Sequence, residues 1–255
     1  MIGLFDSGIG GLTVVRALLQ KYPNVNFIYL GDTARFPYGN KSKETVERYA
    51  VEDAKFVIDK GAKMVIVACN TASSLAMEKL RKTYPGIPFV GVIEPAAKMA
   101  VQVSNKSIGV IGTRATVGSG IYDTVIHSLK PQIKVQQKAC PLFVPLVEEG
   151  MFSDQITKIM VRRYLTSLRQ ANVESLVLGC THYPFLQPLL QRFMGNKVNV
   201  INSAEAVVQE ANDLYPDLFL ETPDIHQKIA FTDTSAYNDD LAMRWLGKRV
   251  EIISV

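Results

Sequence analysis

The side chains with the most chemical reach are two thiols, Cys69 and Cys180. Each closes an apolar run: MVIVACNTASS from Met64 to Ser74, and LVLGCTHYPFL from Leu176 to Leu186. Both runs read as a buried strand, a cysteine at its end, and small polar residues after it. A lone cysteine in such a turn is as easily structural as reactive, because a free thiol is a mediocre base near neutrality and most buried cysteines are inert. The thiolate is favoured at a helix N-terminus, where backbone N–H groups and the helix dipole face it. A second cysteine in an equivalent setting favours function. Two opposed thiols can each hold one proton on one face of a substrate carbon. One acts as thiolate base while the other donates as thiol, and the roles reverse in the opposite direction. Such a pair inverts a carbon acid flanked by a group able to bear charge, such as the carboxylate of an amino acid.

The neighbours of the thiols fit this reading. Asn70 and Thr71 add polar groups that could hold a ligand carboxylate. His182 lies two residues beyond Cys180, where it could assist proton transfer or stabilise a thiolate. The competing reading of His182 is a helix-cap residue, but Thr181, His182 and Tyr183 cluster at a strand end, which favours function. Cys140, before Pro141 in an apolar stretch, reads as core. The loop Gly8-Ile9-Gly10-Gly11, with Asp32 ending the next strand, invites a dinucleotide reading. Against it, Thr13 stands at the third glycine position, and the charge of Asp6 would repel a pyrophosphate. The better reading turns Asp6 toward a thiol and Ser7 toward a substrate.

Strands and helices must position these groups. Met1–Phe5, Val25–Leu30, Met64–Ala68 and Phe89–Ile93 read as strands, with helices over Leu12–Gln20, Ser42–Lys60 and Ala72–Lys82 between them. Thr33–Asn40 carries Pro and Gly and is irregular. The alternation predicts an α/β fold with mostly parallel sheets. The pattern then restarts. Ile108–Ile111, Ile133–Gln136, Leu176–Gly179 and Val198–Ile201 are strands, with Gly112–Thr116 and Pro141–Gly150 irregular. Helices follow over Ser119–Leu129, Asp154–Gln170, Pro184–Phe193 and Ser203–Leu214. IGLFDS at Ile2 aligns with IGVIGT at Ile108, and Cys69 with Cys180, at offsets that agree to within one loop insertion. This repeat predicts two similar α/β domains related by a pseudo-twofold axis, with the site in the cleft between them, outside the carboxyl ends of the strands. The expected domains are 1–93 with 208–255, carrying Cys69, and 94–207, carrying Cys180. The tail, with a strand from Ile229, a helix from about Ala236 to Leu246 and a final strand, is expected to return to the first domain.

Composition narrows the classes. With 255 residues, 47% of them hydrophobic, the chain can bury a core without disulfides. Its three cysteines form no CxxC, and its three histidines lack metal-ligand spacing, so no metal site is expected. No apolar run reaches a membrane span, and no signal peptide is visible, so a cytoplasmic protein is expected. A net charge of +4 spread thinly, without a basic block, gives no case for nucleic-acid binding.

At these residues the chain resembles the glutamate racemases of the aspartate/glutamate racemase family. The blocks are FDSGIGGLTV, GDTARFPYG, ACNTAS, VIEP, PLFVPLVEEG and GCTHYP, in the family's order. They span about Ile2 to Ala211; the tail beyond about Leu214 resembles the family only loosely. The resemblance implies a cofactor-independent racemase interconverting L- and D-glutamate and supplying D-glutamate to peptidoglycan. It implies that Cys69 and Cys180 are the acid/bases, with Asp6 assisting Cys69 and His182, with Glu148, assisting Cys180. It implies substrate contacts from Asp6, Ser7, Tyr38, Gly39, Asn70, Thr71, Thr181 and His182, and a homodimer. Some members carry an N-terminal extension linked to activation by a cell-wall precursor, a regulation not expected here, where the chain opens on its first strand. The sibling reading is aspartate racemase, against which the CTHYP block counts. The two readings from other classes are a dinucleotide-binding oxidoreductase and a binding module with two inert core cysteines.

Overall fold

The computed structural model describes residues 1–220, 224–247 and 250–255. Its first half contains β1 (Ile2–Asp6), α1 (Leu12–Lys21), β2 (Phe27–Gly31), α2 (Lys43–Asp59), β3 (Met64–Val67), α3 (Asn70–Leu75), α4 (Met77–Thr83), β4 (Phe89–Gly91) and α5 (Ile93–Val103). Then come β5 (Ser107–Gly112), α6 (Arg114–Gly118), α7 (Ile121–Leu129), β6 (Lys134–Ala139), α8 (Phe143–Glu148), α9 (Gln155–Gln170), β7 (Ser175–Gly179), α10 (Gln187–Met194), β8 (Asn199–Asn202) and α11 (Ser203–Leu214). The tail adds β9 (Gln227–Phe231), α12 (Ala236–Leu246) and β10 (Glu251–Ser254).

The described strands form two parallel sheets, β10-β9-β2-β1-β3-β4 and β6-β5-β7-β8. The α/β class expected from the alternation is the class observed. Strands β1, β2, β3 and β7 are buried along their whole length. That burial explains their unbroken apolar sequences, because parallel strands are covered by helices on both faces. The repeat is visible in the strand order: β2-β1-β3-β4 corresponds to β6-β5-β7-β8. The registers agree as well, since Phe5 pairs with Val67 and Ile111 pairs with Leu178. Cys69 and Cys180 therefore stand at the same step beyond the same strand of each sheet. Strands β9 and β10 have no counterpart in the second sheet and extend the first beyond β2.

Five segments differ from the sequence expectation. The loop 33–40, expected to be irregular, winds into two short 3-10 helices, Thr33–Arg35 and Tyr38–Asn40. The stretch after β4 is helical over Ile93–Val103. Pro95 sits in its first turn, where its missing N–H would lack an intrahelical partner anyway, and Ile93, Ala96, Ala97 and Ala100 make its buried face. The helix after Cys69 breaks at Ala76 into α3 and α4. The hydroxyls of Ser73 and Ser74 there donate to the carbonyls of Val67 and Asn70, a local competition that bends helices. The apolar stretch 141–150 holds a short helix, Phe143–Glu148, that accepts Pro145 in its first turn. The loop after β5 winds into the short helix α6, capped by Thr113, whose Oγ1 accepts from the Thr116 N–H.

Candidate active site

A cavity of about 470 Å³ opens between the carboxyl ends of β1 and β3 on one side and β5 and β7 on the other. Both thiols line it. So do Ser7, Tyr38, Gly39, Asn70 and Thr71 from the first half, and Glu148, Thr181 and His182 from the second. Asp6 lies beneath this wall rather than on it. It is fully buried, and its carboxylate accepts from the N–H groups of Gly8 at 3.2 Å and Gly11 at 3.0 Å and from the Thr181 hydroxyl at 3.4 Å. Those two amides are the donors a dinucleotide pyrophosphate would need, and Asp6 already occupies them.

Cys69 caps α3, with its Sγ accepting from the Ala72 N–H at 3.4 Å. It is 4% exposed and Cys180 6%. Burial pushes the Cys69 thiol up to about 12, and the buried charge of Asp6 adds to the shift, while donors from Ala72 and Ser7 oppose it. Burial pushes Cys180 up as well, opposed by the His182 N–H. Burial thus favours the protonated form of both sulfurs. Asp6 is itself raised by burial, against the attraction of His182 and its backbone donors.

On the Cys180 side the partners form a chain. His182 Nδ1 lies 3.9 Å from Cys180 Sγ, and its Nε2 lies 3.1 Å from Glu148 Oε1. A carboxylate on Nε2 selects the tautomer with the proton there, which leaves Nδ1 free to accept from the thiol. The imidazole is 2% exposed and held on several sides. Phe36 packs with its ring centroid at 5.9 Å, and Trp245 of α12 meets it edge-on at 5.9 Å. Gly10 completes the enclosure: a Cβ there would lie 2.4 Å from the His182 ring and from Thr181 Oγ1. Thr13 reaches across, its hydroxyl shared between the carbonyls of Gly10 and Thr181.

The two halves also meet at the other end of the cavity. Asn70 Nδ2 donates to the Tyr122 hydroxyl at 3.0 Å, and Thr71 Oγ1 lies 3.0 Å from Thr113 Oγ1. The hydroxyl of Tyr38 is spent outside the cavity. It bonds Asp32 and Asp53, which Arg35 also grips. Cys140 is fully buried away from the cavity wall, its Sγ 3.6 Å from the Lys138 carbonyl. Sequence reading did not single out Phe36, Trp245, Thr113 or Tyr122. Trp245 is the chain's single tryptophan, but nothing in its local pattern ties it to a histidine over sixty residues earlier. Among the described residues no cluster of His, Cys, Asp or Glu could hold a metal ion, and no helix is long and apolar enough to cross a membrane.

This arrangement can offer a proton donor and a proton acceptor from two walls to one small polar molecule. Comparison with known proteins gives the same chemistry a family. The family model described as Asp/Glu/Hydantoin racemase matches residues 12–211. The chain is 47% identical to the glutamate racemase of Aquifex aeolicus over 251 residues, covering 98% of this chain and 95% of that one. Among solved structures, the glutamate racemase of Francisella tularensis in complex with D-glutamate superposes with a TM-score of 0.93 at 34% identity, covering 100% of this chain and 96% of that one. The glutamate racemase of Aquifex pyrophilus follows with a TM-score of 0.83 at 42% identity, covering 98% and 97%. With this fold, these sequence blocks and two strand-end thiols in one cavity, the chain belongs to the Asp/Glu/hydantoin racemase family and is an isomerase.

Proposed function

We propose that the protein interconverts L- and D-glutamate without a cofactor, by proton transfer between Cys69 and Cys180. The observation that carries this reading is the pair of equivalent thiols on opposite walls of one cavity. The family assignment and the named relatives support glutamate as the substrate.

The thiolate of one cysteine removes the Cα proton, and the electron pair left on Cα delocalises into the α-carboxylate. The thiol of the other cysteine then delivers its proton to the opposite face. The first sulfur ends as thiol and the second as thiolate, so the enzyme is poised for the reverse direction. Thiols whose protonated form burial favours need local bases to reach this state. Asp6 serves Cys69, because a buried carboxyl with a raised pKa is closer in basicity to a thiol than an ordinary carboxylate is. His182 serves Cys180, with Glu148 stabilising the imidazolium. The ammonium of the bound substrate lowers the cost of a nearby thiolate. Ser7, Asn70, Thr71 and Thr181 hold the amino-acid head, with Asp6 acting from beneath them. Tyr38 and Gly39 line the same cavity and also contact the substrate. His182 contributes to the same wall.

In this reading the bodies that close on the substrate are 1–93 with 208–255, and 94–207. The product supplies D-glutamate to peptidoglycan synthesis in the cytoplasm, and the working species is a homodimer. The test is incubation with L-glutamate in heavy water without added cofactor, with L-aspartate in parallel. D-Glutamate carrying deuterium at Cα is the expected product, with aspartate turned over far more slowly. A requirement for pyridoxal phosphate or nicotinamide, or faster turnover of aspartate, would sink the proposal.

A further inference from the structure

The pseudo-twofold repeat fails at one informative place. Aligning β1 on β5 through Ile2 and Ile108 places Asp6 on Gly112, Ser7 on Thr113 and Gly8 on Arg114. The end of β1 therefore carries a carboxylate where β5 ends in Gly112, and the turn after β5 carries a guanidinium where the turn after β1 has Gly8. Arg114 is the single Lys or Arg side chain among the described residues lining the cavity. It is exposed, at the first position of α6, and makes no ion pair among the described residues. Arg35, on the loop before Tyr38, is already bound to Asp32, Glu52 and Asp53. Arg114 also stands beside the loop that carries Tyr38 and Gly39. Gly39 packs so closely on Thr113 that a Cβ there would lie 2.8 Å from the Thr113 Cβ.

A dicarboxylic amino acid presents an ammonium at one end and a second carboxylate at the other. A cavity with Asp6 beneath one turn and Arg114 on its counterpart matches that polarity. We infer that Arg114 is a specificity-determining residue that draws in and pairs with the side-chain carboxylate of the substrate; this rests on the dicarboxylic substrate proposed above. The chemistry, addition and removal of a proton at Cα, does not involve Arg114. Its effect therefore falls on capture. A charge at the rim of a site acts mainly on association and on salt dependence, because an exposed charge is screened within about 8 Å at physiological salt.

The test is steady-state kinetics of the wild-type chain, Arg114→Gln and Arg114→Lys with L-glutamate, at low salt and at about 0.3 M salt. Arg114→Gln is expected to raise KM about tenfold with kcat within about twofold, and to flatten the fall of kcat/KM with salt. Arg114→Lys is expected to recover most of the KM and the salt dependence, since it restores the charge. A glutamine variant that matches wild type in KM and salt response would overturn the inference. So would a loss confined to kcat that lysine does not rescue, because that pattern marks a structural role. An inactive wild-type chain would overturn the substrate assignment itself, and it would be seen before any variant is compared.

Discussion

Burial favours the protonated form of Cys69 and of Cys180. A thiol raised to about 12 in the folded chain, against about 8.5 in an unfolded one, binds its proton more tightly when folded. Its stabilising contribution is full below about pH 8.5 and is lost as the pH rises through the folded value, at about 1.4 kcal/mol per pH unit in between. Burial raises Cys180 and Cys140 in the same direction. The unfolding midpoint should therefore fall steadily above about pH 8.5, and the fall should be shallower in Cys69→Ala. An equal slope in variant and wild type, followed by circular dichroism, would show that Cys69 is not held neutral by burial. At this scale the sequence was most readable where residue type itself implies chemistry, as with the thiols, His182 and Asp6. It was least readable for Phe36 and Trp245, because an aromatic ring that braces a histidine has the same composition signal as one that fills a core. The depth of Asp6 was also hidden: its carboxylate turns back onto the amides of its own loop.

Among the elements, the glycine loop between β1 and α1 matters most to the site. Its amides close on Asp6, and its Gly10 leaves the space that His182 fills. Gly10→Ala would drive a methyl to 2.4 Å from the imidazole, so the ring or the loop must move. Misplacing a catalytic group by about an ångström can cost about a hundredfold in rate. We expect kcat/KM to fall by about that factor, with a stability loss of about 1–3 kcal/mol from overpacking. Near-wild-type kinetics with glutamate would show that the loop and His182 do not depend on this contact. The strands and α11 were legible because apolar runs and amphipathic spacing are properties of local sequence. Helices α5 and α8 were not, because Pro95 and Pro145 are breaker signals everywhere except in a first turn. That position is fixed only once the preceding strand or turn is known to end. The break at Ala76 was hidden for a related reason: Ser73 and Ser74 chose carbonyl partners that the linear pattern does not reveal.

In the whole molecule, the repeat places two equivalent strand ends around one cavity, and the departures from symmetry assign the two walls different work. The first wall carries a helix-capping thiol, with Asp6 buried beneath it. The second carries the His182–Glu148 chain, reached by Trp245 from the C-terminal helix. The repeat itself was legible from IGLFDS and IGVIGT. The tail's reach across to His182 was not, since it is a contact between elements far apart in sequence. The central claim is that neither wall can invert a substrate carbon alone, so the most direct measurement is racemisation of glutamate from each enantiomer by Cys69→Ala and by Cys180→Ala. General acid–base groups are worth about 10²–10⁴ in rate, and in the proposed mechanism each thiol serves as base in one direction and acid in the other. Each variant is therefore predicted to lose at least about a thousandfold in both directions, while keeping the wild-type fold by circular dichroism. Near-normal turnover by either variant, in either direction, would contradict the two-thiol account.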